Sequence, residues 1–520
     1  MFLRRHALVA VSAVAMLASS ACGGGHSVGA IAAAAPSGDP VAGGTGRIVE
    51  MAEPRSLDPA LISNSWANSP LLGNALYGTL MIDNIETGAI EYKMAENFFS
   101  TDGGKTFTLV LRDGLRFSDG SPLTAHSVKT AWEHVKDPAT ASPDIPQARL
   151  IDSSDVVDER TLRVNLVTPV PNFANAILQT SLNWIASPTT LAADQAHKDS
   201  DPVGAGPYTL EHWSRQDVIS LTRNANYYDA PRPYLDRLEI RAIPDAEQRY
   251  NTVLSGGADF ALEGIWQNLD KATNTGLQSS VAPLGGGTSL VLNNTKAPFD
   301  DPRARKALAT ALNLDMLNTA VYEGTGKIPA HLFDESSPFY KDIPLAQPNH
   351  DAAQRLLDEL ASEGAPLEFT LSLYPTGKSL GAAVQTQMSV FDNVKVEVRT
   401  IDLAQVGQNL GKKDYDVISS TVVFSDPEPR LWFGFHSTSS GNYSGIKDPQ
   451  LDDALDRGRV AGNDAERTAA YEAVQKRLVE LNPVIFYSRA APGVIAGTQV
   501  GGIVQYGMGS VLPETLWIQK

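Results

Sequence analysis

Apolar and polar residues alternate along Thr106–Arg112, with Phe107, Leu109 and Leu111 on one face. The same period of two returns at Thr161–Val167, Leu235–Ile243 and Val394–Val398. Successive strand side chains point to opposite faces, so each run predicts a strand with one buried side. Elsewhere the spacing widens to that of a helix. Asp301 before Pro302 predicts a capped start, with Ala304, Ala307, Leu308, Ala311 and Leu312 on one face. Asp448-Pro449 repeats the device ahead of Leu451, Ala454 and Leu455. Asp464 precedes a longer helix with Ala470, Val474, Leu478 and Leu481 inward, ended by Asn482-Pro483. Asp351 to Leu360 is another, with Gly364 as its stop. Periods of 2 and 3.6 mixed in this way predict an α and β fold.

The first residues follow a different pattern. Arg4 and Arg5 form a short positive region, and Ala7–Ala18 is an apolar run too short to span a bilayer. Ser19-Ser20-Ala21 supplies small residues before Cys22, the chain's one cysteine. This order predicts an export signal. Cys22 in that position resembles the lipobox cysteine of bacterial lipoproteins, which is acylated and becomes the mature N-terminus. Ser19 stands where that pattern has Leu, and the competing expectation is an ordinary cleaved signal. Removing residues 1–21 discards Arg4 and Arg5 and takes the net charge from −17 to −19. From Gly23 to about Gly46 the chain is mostly Gly, Ala, Ser and Pro, a composition that predicts a flexible tether.

At 520 residues the body is long enough for about three domains. The acidic balance, with no basic stretch, argues against a nucleic-acid partner, because phosphate contacts need clustered Lys and Arg. One cysteine excludes a disulfide framework and thiolate metal cages. The nine His show no HExxH or HxH spacing, and His126 and His134 fall about two turns (~12 Å) apart on a helix, too far to share an ion. Phosphate-loop and dinucleotide fingerprints are missing, and Gly285-Gly286-Gly287 reads as a turn or interdomain crossing. Gly25-His26-Ser27-Val28-Gly29 fits GxSxG, but a nucleophile elbow needs a strand before it and a helix after it. Here a signal precedes and a linker follows. The acid pairs Asp300-Asp301 and Asp452-Asp453 fall at helix starts, where the helix dipole favours them without acid–base chemistry. No catalytic residue, metal site or cofactor is expected.

A series of ordered blocks carries more identity. Glu53-Pro-Arg-Ser-Leu57-Asp58-Pro59 is followed by Leu76-Tyr77-Gly78-Thr-Leu80 and Met94-Ala95-Glu96-Asn97-Phe98. Then come Asp102-Gly103-Gly104-Lys105-Thr-Phe107, Leu111-Arg112-Asp-Gly114-Leu-Arg-Phe117-Ser-Asp119-Gly120 and Leu123-Thr124-Ala125-His-Ser-Val128. Further on stand Pro202-Val-Gly204-Ala-Gly206-Pro207-Tyr208, Arg223-Asn224-Ala-Asn-Tyr227-Tyr228 and Pro298-Phe299-Asp300-Asp301-Pro302-Arg303. The set resembles the family-5 bacterial extracellular solute-binding proteins, the peptide- and nickel-type receptors of ABC importers, from about Arg47 to Lys520. Most of these blocks read as fold-forming: Gly114 and Gly120 as tight turns, and Gly204, Gly206 and Pro207 as a passage between lobes that needs unusual dihedrals.

The resemblance implies an α/β, periplasmic-binding-protein-like fold (type II, large peptide-binding type): mixed sheets flanked by helices in two main lobes plus a small extra domain. Residues 47–75, 182–283 and 486–520 would form lobe I, 76–181 the extra domain and 284–485 lobe II, after a signal at 1–22 and a tether at 23–46. Hinge crossings are expected near Gly285–Thr288 and Val484–Tyr487. Peptide-binding members meet the ligand ammonium with an Asp four residues before the Pro of an acidic-Pro pair. In Val422-Val423-Phe424-Ser425-Asp426-Pro427 that count lands on Val423, so either Asp426 takes the role from a shifted loop or the ligand is held differently. Trp66 and Asn64, on the loop after Leu57-Asp58-Pro59, and Phe424 and Trp432, flanking the acidic-Pro turn, are the other expected ligand contacts, with Arg430 placed to meet an anionic group.

The chain therefore reads as a monomeric, lipid-anchored binding protein on the outer face of the cell membrane, in the periplasmic space. It takes peptides or a similar small solute and delivers them to an ABC permease. The rivals are a regulatory or scaffold lipoprotein of the same fold acting on envelope proteins, and an envelope hydrolase using Ser27 or an acid pair.

Overall fold

The computed structural model describes residues 36, 38–66 and 68–519. Cys22, Ser27 and most of the tether lie outside them. Strands are gathered in two large sheets and a four-stranded one, with small two-stranded pieces besides. The seven-stranded sheet runs, in spatial order, Gln278–Val281, Gly493–Ala496, Phe260–Glu263, Thr45–Glu50, Arg237–Ala242, Val218–Arg223 and Tyr208–Ser214. Thr45–Glu50 is parallel to both its neighbours, and the other pairs are antiparallel. The five-stranded sheet runs Val394–Thr400, Leu367–Leu373, Val417–Phe424, Gly285–Leu292 and Val484–Ser488. The four-stranded sheet is an antiparallel array of Ala95–Ser100, Thr106–Leu111, Thr161–Leu166 and Ile151–Val156.

The alternation at Phe107, Leu109 and Leu111 forms the strand Thr106–Leu111, whose burial follows the period of two. These side chains join an apolar core that also holds Ile48, Ile240 and Phe260 of the seven-stranded sheet. The four-stranded and seven-stranded sheets thus share one core. The five-stranded sheet has its own, around Leu290, Leu292 and Leu371. Asp301 caps the helix Pro302–Ala311 by accepting from Arg303 N, and Asp448 caps Pro449–Val460 by accepting from Leu451 N. For the longer helix Asp464–Leu481 the cap is Asn463, one residue earlier than expected, and Asn482 ends it in the left-handed region.

Three glycine readings change. Gly285–Gly287 opens the strand Gly285–Leu292 rather than a crossing. The chain passes between the large sheets just outside the expected hinges, at residues 282–284 and 489–492. Gly204 and Gly206 do not have positive φ. They are needed for close approach, since a Cβ would sit 2.1 Å from Leu76 O at Gly204 and 2.2 Å from Ala75 O at Gly206.

One loop from the opening block is tied by charge. Asp58, buried, accepts from His134 Nε2 at 2.8 Å and Lys198 Nζ at 2.9 Å. Burial alone raises its carboxyl, but these bonds outweigh it and hold it at about 2. Glu50, at the end of its strand, is 1% exposed, and among the described residues neither carboxylate oxygen has a hydrogen-bond partner. Burial pushes it up to about 8.

Candidate functional site

A cleft of about 100 Å³, open to solvent, separates elements packed with the seven-stranded sheet from the five-stranded half. One wall is the turn from Asp83 to Gly88 with Asn175; the other is Gly285, the loop from Phe333 to Phe339, and Ser425 and Asp426.

The strand Val417–Phe424 leads into this wall. It pairs with Gly285–Leu292 along its whole length but with Leu367–Leu373 only at Val417 and Ile418. Among the described residues, Ser419–Phe424 therefore has one edge with no strand partner, and its outward backbone groups are available for hydrogen bonding.

The predicted site residues divide. Asp426 reaches the cleft, but Arg467 donates to both its carboxylate oxygens, through Nη1 to Oδ2 at 2.8 Å and Nη2 to Oδ1. Val423 is half-buried and opposite Gly286. A second acidic-Pro pair, Glu428-Pro429, follows two residues later, and counting back four from Pro429 gives Ser425, whose buried Oγ has no partner. Neither register supplies an acid. Trp66 is half-buried and lies against Gly264, where a Cβ would be 2.4 Å from its ring.

Phe424, expected at the ligand, is fully buried instead. It packs edge-on against Phe333, and its ring fills the space a Cβ on Gly285 would need. Trp432 stacks between His436 and Arg459 and donates from Nε1 to Asp456, so its faces are already covered. Asn64 is also fully buried, with Nδ2 donating to Leu178 O at 2.7 Å and Tyr506 Oη at 3.1 Å. Its role is to fix the loop that carries Trp66.

Arg430, half-buried, keeps a buried Nε with no partner. Burial lowers its pKa, and Asp144, on the other side of the interface, pulls it back up. Behind the cleft, Glu428 is buried against Arg459 at 2.9 Å and is pushed up to about 7, burial outweighing that arginine.

Two cleft-side residues carry no sequence signal. Asp83 ends a short apolar strand, is 7% exposed, and accepts from Gly507 N at 2.6 Å through Oδ1. Burial raises its carboxyl, and Asp426 across the cleft raises it further. Arg489, in the second crossing, forms no ion pair among the described residues, although the Asp334 carboxylate acts on it; it donates to the carbonyls of Gly286, Leu332, His331 and Phe333 at 2.8 to 3.1 Å. Burial lowers it to about 10. It ties the second crossing and the start of the strand Gly285–Leu292 to the loop that forms the cleft wall.

Two sheet-built halves, two chain crossings and a cleft between them define a two-lobed binding protein. Residues 89–443 match the profile of the bacterial extracellular solute-binding proteins, family 5 Middle. The chain belongs to that family. It is 26% identical to the glutathione-binding protein GsiB of Escherichia coli (strain K12) over 428 residues, 75% of this chain and 79% of that one. Among solved structures, the binding protein DppA of Helicobacter pylori with the peptide STSA aligns with TM-score 0.79 at 21% identity, over 92% of this chain and 99% of that chain. AgaA of A. tumefaciens R10 with agropinic acid gives 0.78 at 22%, over the same shares. The oligopeptide-binding AppA of Bacillus subtilis with a nonapeptide gives 0.75 at 21%, over 93% and 100%. The fold is that of the type II periplasmic binding proteins. The family is one of solute-binding proteins, not enzymes. Among the described residues no helix is long and apolar enough to cross a membrane.

Proposed function

We propose that this chain is the capture component of an ABC importer, taking peptides or a similar small solute between its two halves and passing them to a membrane permease. The observation that carries this reading is the open edge at Ser419–Phe424, which runs into the cleft wall at Ser425 and Asp426. An extended peptide adds to such an edge through its own main chain, leaving side-chain selection to the walls. Trp66, Val423, Asp426 and Arg430 are the residues we assign to the solute. No bond is made or broken; the solute stabilises the closed arrangement by its contacts with both halves. A scaffold role for the same fold is not favoured, since the family is described by solute binding.

Cys22, acylated after removal of residues 1–21, anchors the protein to the outer face of the membrane in this reading. Cys22→Ser is expected to release it into the soluble fraction, and unchanged membrane retention refutes the anchor. Intrinsic tryptophan fluorescence tests capture: a saturable change on adding tripeptides is expected, and no change with any peptide, together with no small molecule co-purifying by mass spectrometry, rejects it.

A further inference from the structure

Gln179 is 1% exposed, yet among the described residues neither its amide nitrogen nor its amide oxygen has a hydrogen-bond partner. It ends the helix Phe173–Leu178, one turn after Asn175, which lines the cleft. A Cβ on Gly507 would lie 3.8 Å from Gln179 Cγ, and Gly507 N donates to Asp83 of the same wall. Leu178, the residue before it, accepts from Asn64 on the loop that carries Trp66. On the other flank Ser181 N donates to Asp144 Oδ2 at 2.9 Å, and Asp144 is the acid that acts on Arg430 of the opposite half. Gln179 thus stands behind the cleft wall, beside the place where Asp144 faces Arg430. On the facing wall the Ser425 Oγ is buried and also without a partner.

A buried carboxamide with both atoms bare is costly, so an arrangement that hides it is disfavoured until a partner arrives. The chemistry of the group fixes that partner. Its nitrogen donates and its oxygen accepts from adjacent positions, and a second carboxamide answers both at once. A full charge fits the place less well, since Asp144 and Arg430 already face each other and a neutral amide offers a third charge no counter-ion. An apolar group leaves both atoms bare, and a site built to hydrogen-bond a polar group rejects the analogue that lacks it.

We propose that Gln179 is a specificity-determining residue: the solute presents a neutral side-chain carboxamide to its amide, with the Ser425 hydroxyl as a further partner, and closure is completed only with that group in place. This rests on the capture reading above and names the chemical class recognised there.

Calorimetric titration of the full-length protein with six tripeptides tests it: trialanine carrying Gln at the first, second or third position, and the three counterparts carrying Met, which is similar in length and has no amide. At least one Gln peptide is expected to bind about tenfold or more tighter than its Met counterpart. Gln179→Met is expected to cut that preference to below about threefold by weakening the Gln peptide and not the Met one. Ser425→Ala, a smaller change on the facing wall, is expected to reduce it part-way. Equal binding of the Gln and Met peptides, or a preference that survives Gln179→Met, overturns this inference alone. Should Gln179→Met not fold, a preference untouched by Ser425→Ala overturns it in the same way. Failure of all six to bind overturns the peptide reading and the inference with it.

Discussion

Arg467 donates to both carboxylate oxygens of Asp426, so the acid that follows the open-edged strand reaches the cleft with its charge already answered. The arginine is 8% exposed at its side chain, and Glu428 lies close enough to raise the charge density further. Arg467→Met leaves two buried acids with one fewer cation. We expect a loss of about 3–5 kcal/mol in urea unfolding, the usual range when one partner of a buried pair is removed. An unchanged midpoint means that solvent screens the Asp426–Arg467 pair and that it adds nothing to stability.

Phe424→Ala is expected to cost about 3–5 kcal/mol, because the ring is fully buried against Phe333 and Gly285. A thermal scan of the variant checks it. Near-native stability combined with weakened solute binding would return Phe424 to the cleft.

The Asp58 tie makes stability depend on acid. Its folded carboxyl is held at about 2, below the ordinary ~3.9 of an unfolded chain. A depressed carboxyl stabilises fully above the unfolded value and loses its contribution as pH falls from about 4 through 2. Asp58→Asn is expected to be less stable than the parent at pH 6 by on the order of 2 kcal/mol, with the gap closing towards pH 2. A gap that stays constant with pH means that the His134 and Lys198 bonds do not act through charge.

Glu50 works in the opposite sense. Its folded carboxyl is raised to about 8 from an unfolded ~4.3, so its contribution is complete below the unfolded value and is lost as pH rises through 8. Glu50→Gln is expected to come closest to the parent at pH 4 and to melt at a higher temperature at pH 9. Equal melting temperatures at pH 9 show that solvent reaches the carboxyl.

What could be read from the chain was what neighbours in sequence decide. Asp301 and Asp448 cap helices through amides two or three residues away, and the alternation at Phe107, Leu109 and Leu111 sets one strand's faces. The misreadings lie where the partner is distant. Gly285–Gly287 reads as a turn because three glycines lack side chains, yet they sit in a strand because the Phe424 ring occupies the space above Gly285. Phe424 and Trp432 flank an acidic-Pro turn as ligand contacts should, but Phe333 and Arg459, far along the chain, cover them. Asp83 was invisible because its significance depends on Gly507 and on a wall contributed by residues 333–339 and 425–426.

The continuity between Phe107, Leu109, Ile48 and Phe260 leaves no seam at which the four-stranded sheet can hinge. This small sheet shares its core with its large neighbour, and the two halves are joined by two short connectors, one of them carrying Arg489. Deleting the 95–166 region to make a minimal receptor would expose oily surface on the remaining sheet and yield an insoluble fragment, whereas re-cutting the 83–88 turn leaves that surface covered and offers a safer route to altered selectivity.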